Sequence, residues 1–110
     1  MKTVVVINSD QMGHGDRKLG RKLLATCLRK LGNSKEVEAV VLYNSGVRLA
    51  TKDSYVAVEL GVLHEHGVDI LPCGTCVDYY GIKDELLFDR ISNMDEILAM
   101  MHAAQKVITL

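Results

Sequence analysis

Residues 2–7, KTVVVI, set Val4, Val5, Val6 and Ile7 in an unbroken apolar run. A half-buried strand alternates apolar with polar residues, so a run without alternation predicts a strand covered on both faces, as in a parallel sheet between helical layers. A glycine-bearing loop follows, and from Asp16 to Leu31 the residues Leu19, Leu23, Leu24, Cys27, Leu28 and Leu31 recur at helical spacing before a Gly32-Asn33 stop. On that stripe Cys27 reads as a core residue.

The same alternation of elements continues outward. Val37 to Tyr43 (VEAVVLY) predicts a second apolar strand ending in Asn44-Ser45-Gly46, a turn-forming cluster. Ser54 to His66 predicts a second helix, with Tyr55, Val58, Val62 and His66 along one stripe, Asp53 or Ser54 as N-cap and Gly67 at the stop. Val68 to Leu71 is a short third strand ended by Pro72, and a helical turn runs through Tyr80 to Gly81. Leu86 to Ile91 reads as a further short strand, and Ser92 and Asn93 begin a helix in which Met94, Ile97, Leu98 and Met101 share a face. Lys106 to Leu110 closes as a strand. Strands alternating with helices imply right-handed crossovers and a three-layer α/β/α sandwich around a mostly parallel sheet of about five strands.

Size and composition agree with one such domain over residues 1–110. A chain of 12.1 kDa folds to roughly 6,000 Å² of surface from about 17,500 Å² when extended, enough burial for one core. The chain is 48% hydrophobic and 25% charged, an ordinary globular composition. No apolar run approaches the roughly 18 residues of a membrane span, and the first strand is too short for a secretory signal, so a cytoplasmic protein is expected. The net charge of −1 hides an asymmetry: residues 1–35 hold eight Lys/Arg and two Asp/Glu, the remainder five and twelve. A basic face on the first helix, with Arg17, Lys18, Arg21, Lys22, Arg29 and Lys30, is solvated or docks an acidic partner; overall the charge does not suit a nucleic-acid binder.

Open parallel sheets bind ligands outside the carboxyl ends of their strands, here the loops Asn8–Gly15, Asn44–Thr51 and Cys73–Gly81. Of the three cysteines, Cys73 and Cys76 form a C-x-x-C at the end of the third strand. A cysteine at a strand end leading into a helix faces unpaired N–H groups, which favour the nucleophilic thiolate. Gly74 leaves room for another thiol to approach Cys73, and Cys76 can attack a mixed disulfide or persulfide formed there. The alternative is two small buried hydrophobes.

Two competitors fit less well. His64 and His66 would complete a zinc set, but they precede the third strand while the cysteines follow it, about 15 Å away by strand rise. Gly13-His14-Gly15 and Gly20 come near nucleotide-binding loops, yet the third glycine of G-x-G-x-x-G falls at Lys18 and Gly20 is followed by Arg21-Lys22 rather than Lys-Ser/Thr. No metal or cofactor is expected. His14, on the active edge, is either solvated or an acid–base group.

The segments VVVINSDQMGHGD, VVLYNSGVRLA, HGVDILPCGTCVDYYGI and ISNMDEILAMMHAAQKVITL together resemble the DsrE/DsrF-like family, most closely the C-terminal domain of YedF-type proteins, described as sulfurtransferase-like and linked to selenium metabolism. The resemblance implies the α/β/α sandwich and a persulfide relay within homo- or hetero-oligomers. In the family's relay subunits the active cysteine lies eight residues before a glycine, a spacing that joins Cys73 to Gly81 here and implies that role for Cys73. Cys76 matches the second cysteine of the YedF-like motif. YedF-type proteins carry a TusA-like domain ahead of this one; this chain starts at the DsrE-like strand, so a sulfur donor and acceptor, TusA-like or otherwise, are expected on other polypeptides.

The expected function is therefore sulfur relay through Cys73, with Cys76 in support and with Ser9, Asp10, His14, Asn44, Gly46, Gly74 and Thr75 shaping the pocket. The alternatives are a Cys73–Cys76 thiol–disulfide oxidoreductase, disfavoured as a thioredoxin because the sole proline, Pro72, lies beside the motif, and a binding or assembly module without turnover.

Overall fold

The computed structural model describes residues 2–110. Its order is β1 (Thr3–Ile7), α1 (Arg17–Leu31), β2 (Val37–Leu42), a 3-10 segment (Asn44–Ala50), α2 (Ala57–Glu65), β3 (Asp69–Pro72), α3 (Gly74–Tyr80), a 3-10 turn (Lys83–Glu85), α4 (Met94–Ala103) and β4 (Lys106–Thr109). The sheet has four strands, ordered β3-β2-β1-β4 and wholly parallel.

The apolar runs are covered on both sides, as their lack of alternation requires. Val5, Ile7, Val40, Leu42 and Ile70 face a core built with Leu24 and Leu28 of α1 and Leu60 and Leu63 of α2. Val4, Val6, Ala39, Val41, Leu71 and Cys73 face the opposite layer, where Ile97 of α4 is the fully buried anchor. These two layers and the sheet make the three-layer sandwich.

Four expectations need correction. Leu86 to Ile91 is not a strand: Leu86 makes one antiparallel bridge to Thr51, and the chain meets the sheet again only at Ser92, a single parallel bridge to Cys73. That bridge stands where a fifth strand would be. The buried side of α2 is Leu60 and Leu63, while Val58 is 76% exposed, so the stripe Tyr55, Val58, Val62, His66 is not its core face. A helix apolar nearly all round carries little periodic information about which side is covered. In α1 the buried line is Gly20, Leu24 and Leu28, leaving Leu19 and Leu23 exposed and Cys27 half-buried. Pro72 belongs to β3 opposite Leu42; at this edge its missing N–H costs the ladder nothing, and its carbonyl accepts from the Ser92 N–H at 2.8 Å.

Helix starts follow local chemistry. Asp16 caps α1 by accepting from the Leu19 N–H, and Asn93 caps α4 by accepting from the Glu96 N–H at 2.8 Å. Glu96 in turn accepts from the Ser92 hydroxyl and pairs with Arg90, which pins the segment running beside Cys73. No helix of the described residues is long and apolar enough to cross a membrane.

Candidate functional site

Cys73 and Cys76 lie at the carboxyl end of β3, and the fold treats them differently. Strand alternation puts Cys73 on the same face as Leu71, beneath α4, where it is 2% exposed. Cys76, on the first turn of α3, is half-buried and packs against both cores. Cys76 is therefore the less buried of the two; strand alternation accounts for the burial of Cys73, which the C-x-x-C spacing hides.

Gly74 is also explained by the protein itself. A Cβ there would stand 3.1 Å from the Ser92 carbonyl and 3.2 Å from the Ile91 side chain, and the Gly74 N–H donates to that carbonyl at 2.9 Å. Its missing side chain accommodates the neighbouring segment rather than an incoming thiol, and one of the amides expected to face Cys73 is already engaged.

A different amide serves the cysteine pair. Asn44, at the end of β2, is the one non-glycine residue of positive φ among those described, at 53°, and its N–H donates to the Cys76 sulfur at 3.1 Å. Gly46 makes this turn possible, because a Cβ there would collide with the Ile7 carbonyl. Burial raises the Cys76 thiol above its ordinary 9.0; the Asn44 amide opposes that shift, and the Cys73 thiol alongside adds to it. At neutral pH the resting Cys76 is thus a protonated thiol.

Of the other expected pocket residues, Thr75 is exposed on the first turn of α3, Ser9 is half-buried in the loop after β1, and His14 stands exposed in that loop without a hydrogen bond among the described residues. Asp10 lines a cavity that neither cysteine reaches. Its backbone N–H donates to the Ser45 hydroxyl at 3.2 Å, while its carboxylate takes a two-pronged hydrogen bond from Arg17 at 3.0 and 2.8 Å. The Tyr55 hydroxyl donates to the Asp10 carbonyl at 2.7 Å, and the Arg21 guanidinium lies 4.2 Å over the Tyr55 ring. Arg48 lies 5.5 Å over the ring of Tyr80, one turn after Cys76. In the sequence Tyr55 reads only as part of a helix stripe and Arg48 not at all; the signal available for Arg48 was a cation in the loop after β2, on the ligand-binding edge of the sheet.

Among the described residues no three His, Cys, Asp or Glu side chains come together as a metal-holding group, and His64 stacks at 4.0 Å on Phe88 instead.

A parallel three-layer sandwich with a cysteine pair at the strand ends defines a class of small α/β thiol proteins. Within it, the profile of the DsrE/DsrF-like family matches residues 1–110, and the chain belongs to that family. The fold is similar to the crystal structure of the ychN protein from E. coli, with a TM-score of 0.70 at 21% identity over 99% of this chain and 98% of that one. It is similar also to MTH1491, a protein of unknown function from Methanobacterium thermoautotrophicum, with a TM-score of 0.74 at 23% identity over 99% and 98%. BT1422 from Bacteroides thetaiotaomicron gives 0.67 at 16% over 98% of this chain and 94% of that one. No curated protein matches the chain.

Proposed function

We propose that this protein relays sulfane sulfur through the Cys73–Cys76 pair, with Cys76 as the port and Cys73 as the sheltered carrier. The observation that carries this reading is the Asn44 amide aimed at the sulfur of Cys76, with the buried thiol of Cys73 beside it. A fixed N–H donor stabilises negative charge on a sulfur, and it needs no rearrangement when that charge forms.

In the first step the Cys76 sulfur attacks the terminal sulfur of a donor persulfide. An S–S bond forms to Cys76 as the donor's S–S bond breaks, and the proton lost by the Cys76 thiol ends on the departing donor thiol. Cys73 then takes the same sulfur from Cys76 by an identical exchange, with no net oxidation. A partner thiol reverses the sequence. Donor and acceptor proteins, TusA-like among them, would dock at the strand ends, with the basic side of α1 available to acidic surfaces. Assembly of several copies, a cytoplasmic setting and a link to selenium belong to the same reading.

The proximity of the two sulfurs also supports a second reading, a Cys73–Cys76 disulfide formed at the expense of an external disulfide oxidant. Incubation with a cysteine desulfurase and cysteine, and in parallel with glutathione disulfide as the oxidant, then alkylation and peptide mass mapping, separates the two. An added sulfur on the pair supports relay; loss of both free thiols with no added sulfur supports thiol–disulfide exchange.

A further inference from the structure

A cavity of about 280 Å³ opens beside the Asn44–Ala50 segment, and neither cysteine lines it. Its walls carry Arg17, Arg21 and Arg48 on one hand and Asp10, Asp53 and Glu85 on the other. Asp10 and Arg17 neutralise each other in their two-pronged pair, and Arg17 gives a further hydrogen bond to Gln11 at 3.0 Å. That pair is a fixed part of the wall.

The remaining four charges are different. Among the described residues Arg21 and Arg48 form no ion pair, and neither do Asp53 and Glu85. Each free arginine lies over a tyrosine ring, Arg21 at 4.2 Å from the centre of Tyr55 and Arg48 at 5.5 Å from that of Tyr80. A cation–π contact holds a guanidinium in place without using up all of its N–H donors, and those that remain suit a carboxylate. A ligand with negative charge alone would be repelled by Asp53 and Glu85, and one with positive charge alone by the two arginines. The volume lies just under the usual range of small-molecule pockets, which suits a compact ligand.

We infer that this cavity binds a free α-amino acid, its carboxylate on Arg21 and Arg48 and its ammonium group on Asp53 and Glu85. The inference stands on the cavity and is independent of sulfur relay.

The test is a thermal-shift screen of the whole chain against the standard L-α-amino acids, each compared with its N-acetyl and methyl-ester forms, followed by titration calorimetry. At least one free amino acid is expected to raise the melting temperature while its two blocked forms do not. Arg48→Ala and Glu85→Gln change exposed side chains outside the cysteine pair, and each is expected to weaken binding about tenfold or more. Stabilisation by no amino acid, equal stabilisation by an N-acetyl form, or undiminished binding by both variants would overturn the inference.

Discussion

The Asn44 N–H and the Cys76 sulfur, thirty-two residues apart in the chain, meet at 3.1 Å because Asn44 adopts a left-handed backbone with φ at 53°. The turn that makes this contact is held from both sides. Gly46 lets it cross the end of β1, and the Tyr43 N–H donates to the Ile7 carbonyl at 3.2 Å. The donor is backbone, so it survives side-chain replacement wherever the φ value survives.

Asn44→Gly is therefore expected to keep stability within a few tenths of a kcal/mol and to leave Cys76 reactivity unchanged. Asn44→Val puts a β-branched residue in the left-handed region and is expected to cost about 1–2 kcal/mol. Its strain is relieved by moving the amide off Cys76, which raises that thiol further. Urea denaturation gives the stability of each variant, and alkylation rates against pH give the thiol's position.

The Asp10–Arg17 pair gives an acid-side signature. The Arg17 hydrogen bond, opposed by desolvation and aided by the charges of Arg17 and Arg48, holds the Asp10 carboxyl below the ordinary 3.8. A carboxyl depressed in the folded state stabilises fully above its unfolded value, and the contribution is lost as pH falls through the folded value. The stability difference between wild type and Asp10→Asn is thus expected to be constant from about pH 5 to 7 and to shrink below about pH 4. Denaturant titrations across that range check it; a difference that grows toward acid contradicts the assignment.

Ile97 anchors α4 over the face of the sheet that holds Cys73. Ile97→Ala is expected to cost about 2–5 kcal/mol and to open the layer that shields the thiol. Cys73 alkylation in the folded protein should rise several-fold while that of Cys76 changes little. Peptide mapping after a short alkylation pulse distinguishes the two cysteines.

How far the sequence leads can be judged element by element. Val4 to Ile7 and Val40 to Leu42 announced buried parallel strands because apolar residues without alternation have no other stable place in a small α/β domain. The cap at Asn93 and the stop at Gly81 were equally legible, since capping is local chemistry. What failed was whatever depends on a partner distant in sequence. The covered side of α2 is decided by where the Asn44–Ala50 segment and the sheet meet it, so Val58 and Leu60 could not be ranked from their own spacing. The fifth strand shrank to the Ser92 bridge because Glu96 and Arg90 tie that segment to α4 rather than extending it along β3. At the site, the C-x-x-C marked the location, but the burial of Cys73, the Asn44 donor and the use of Gly74 by Ser92 all come from other loops.

The most direct measurement is persulfide mapping of Cys73→Ser and Cys76→Ser beside wild type, after incubation with a cysteine desulfurase and cysteine. With Cys76 as port and Cys73 as carrier, wild type gains one sulfur on the pair, Cys73→Ser retains it on Cys76, and Cys76→Ser gains none from the protein donor. A Cys76→Ser protein that loads Cys73 as fast as wild type would contradict the central claim.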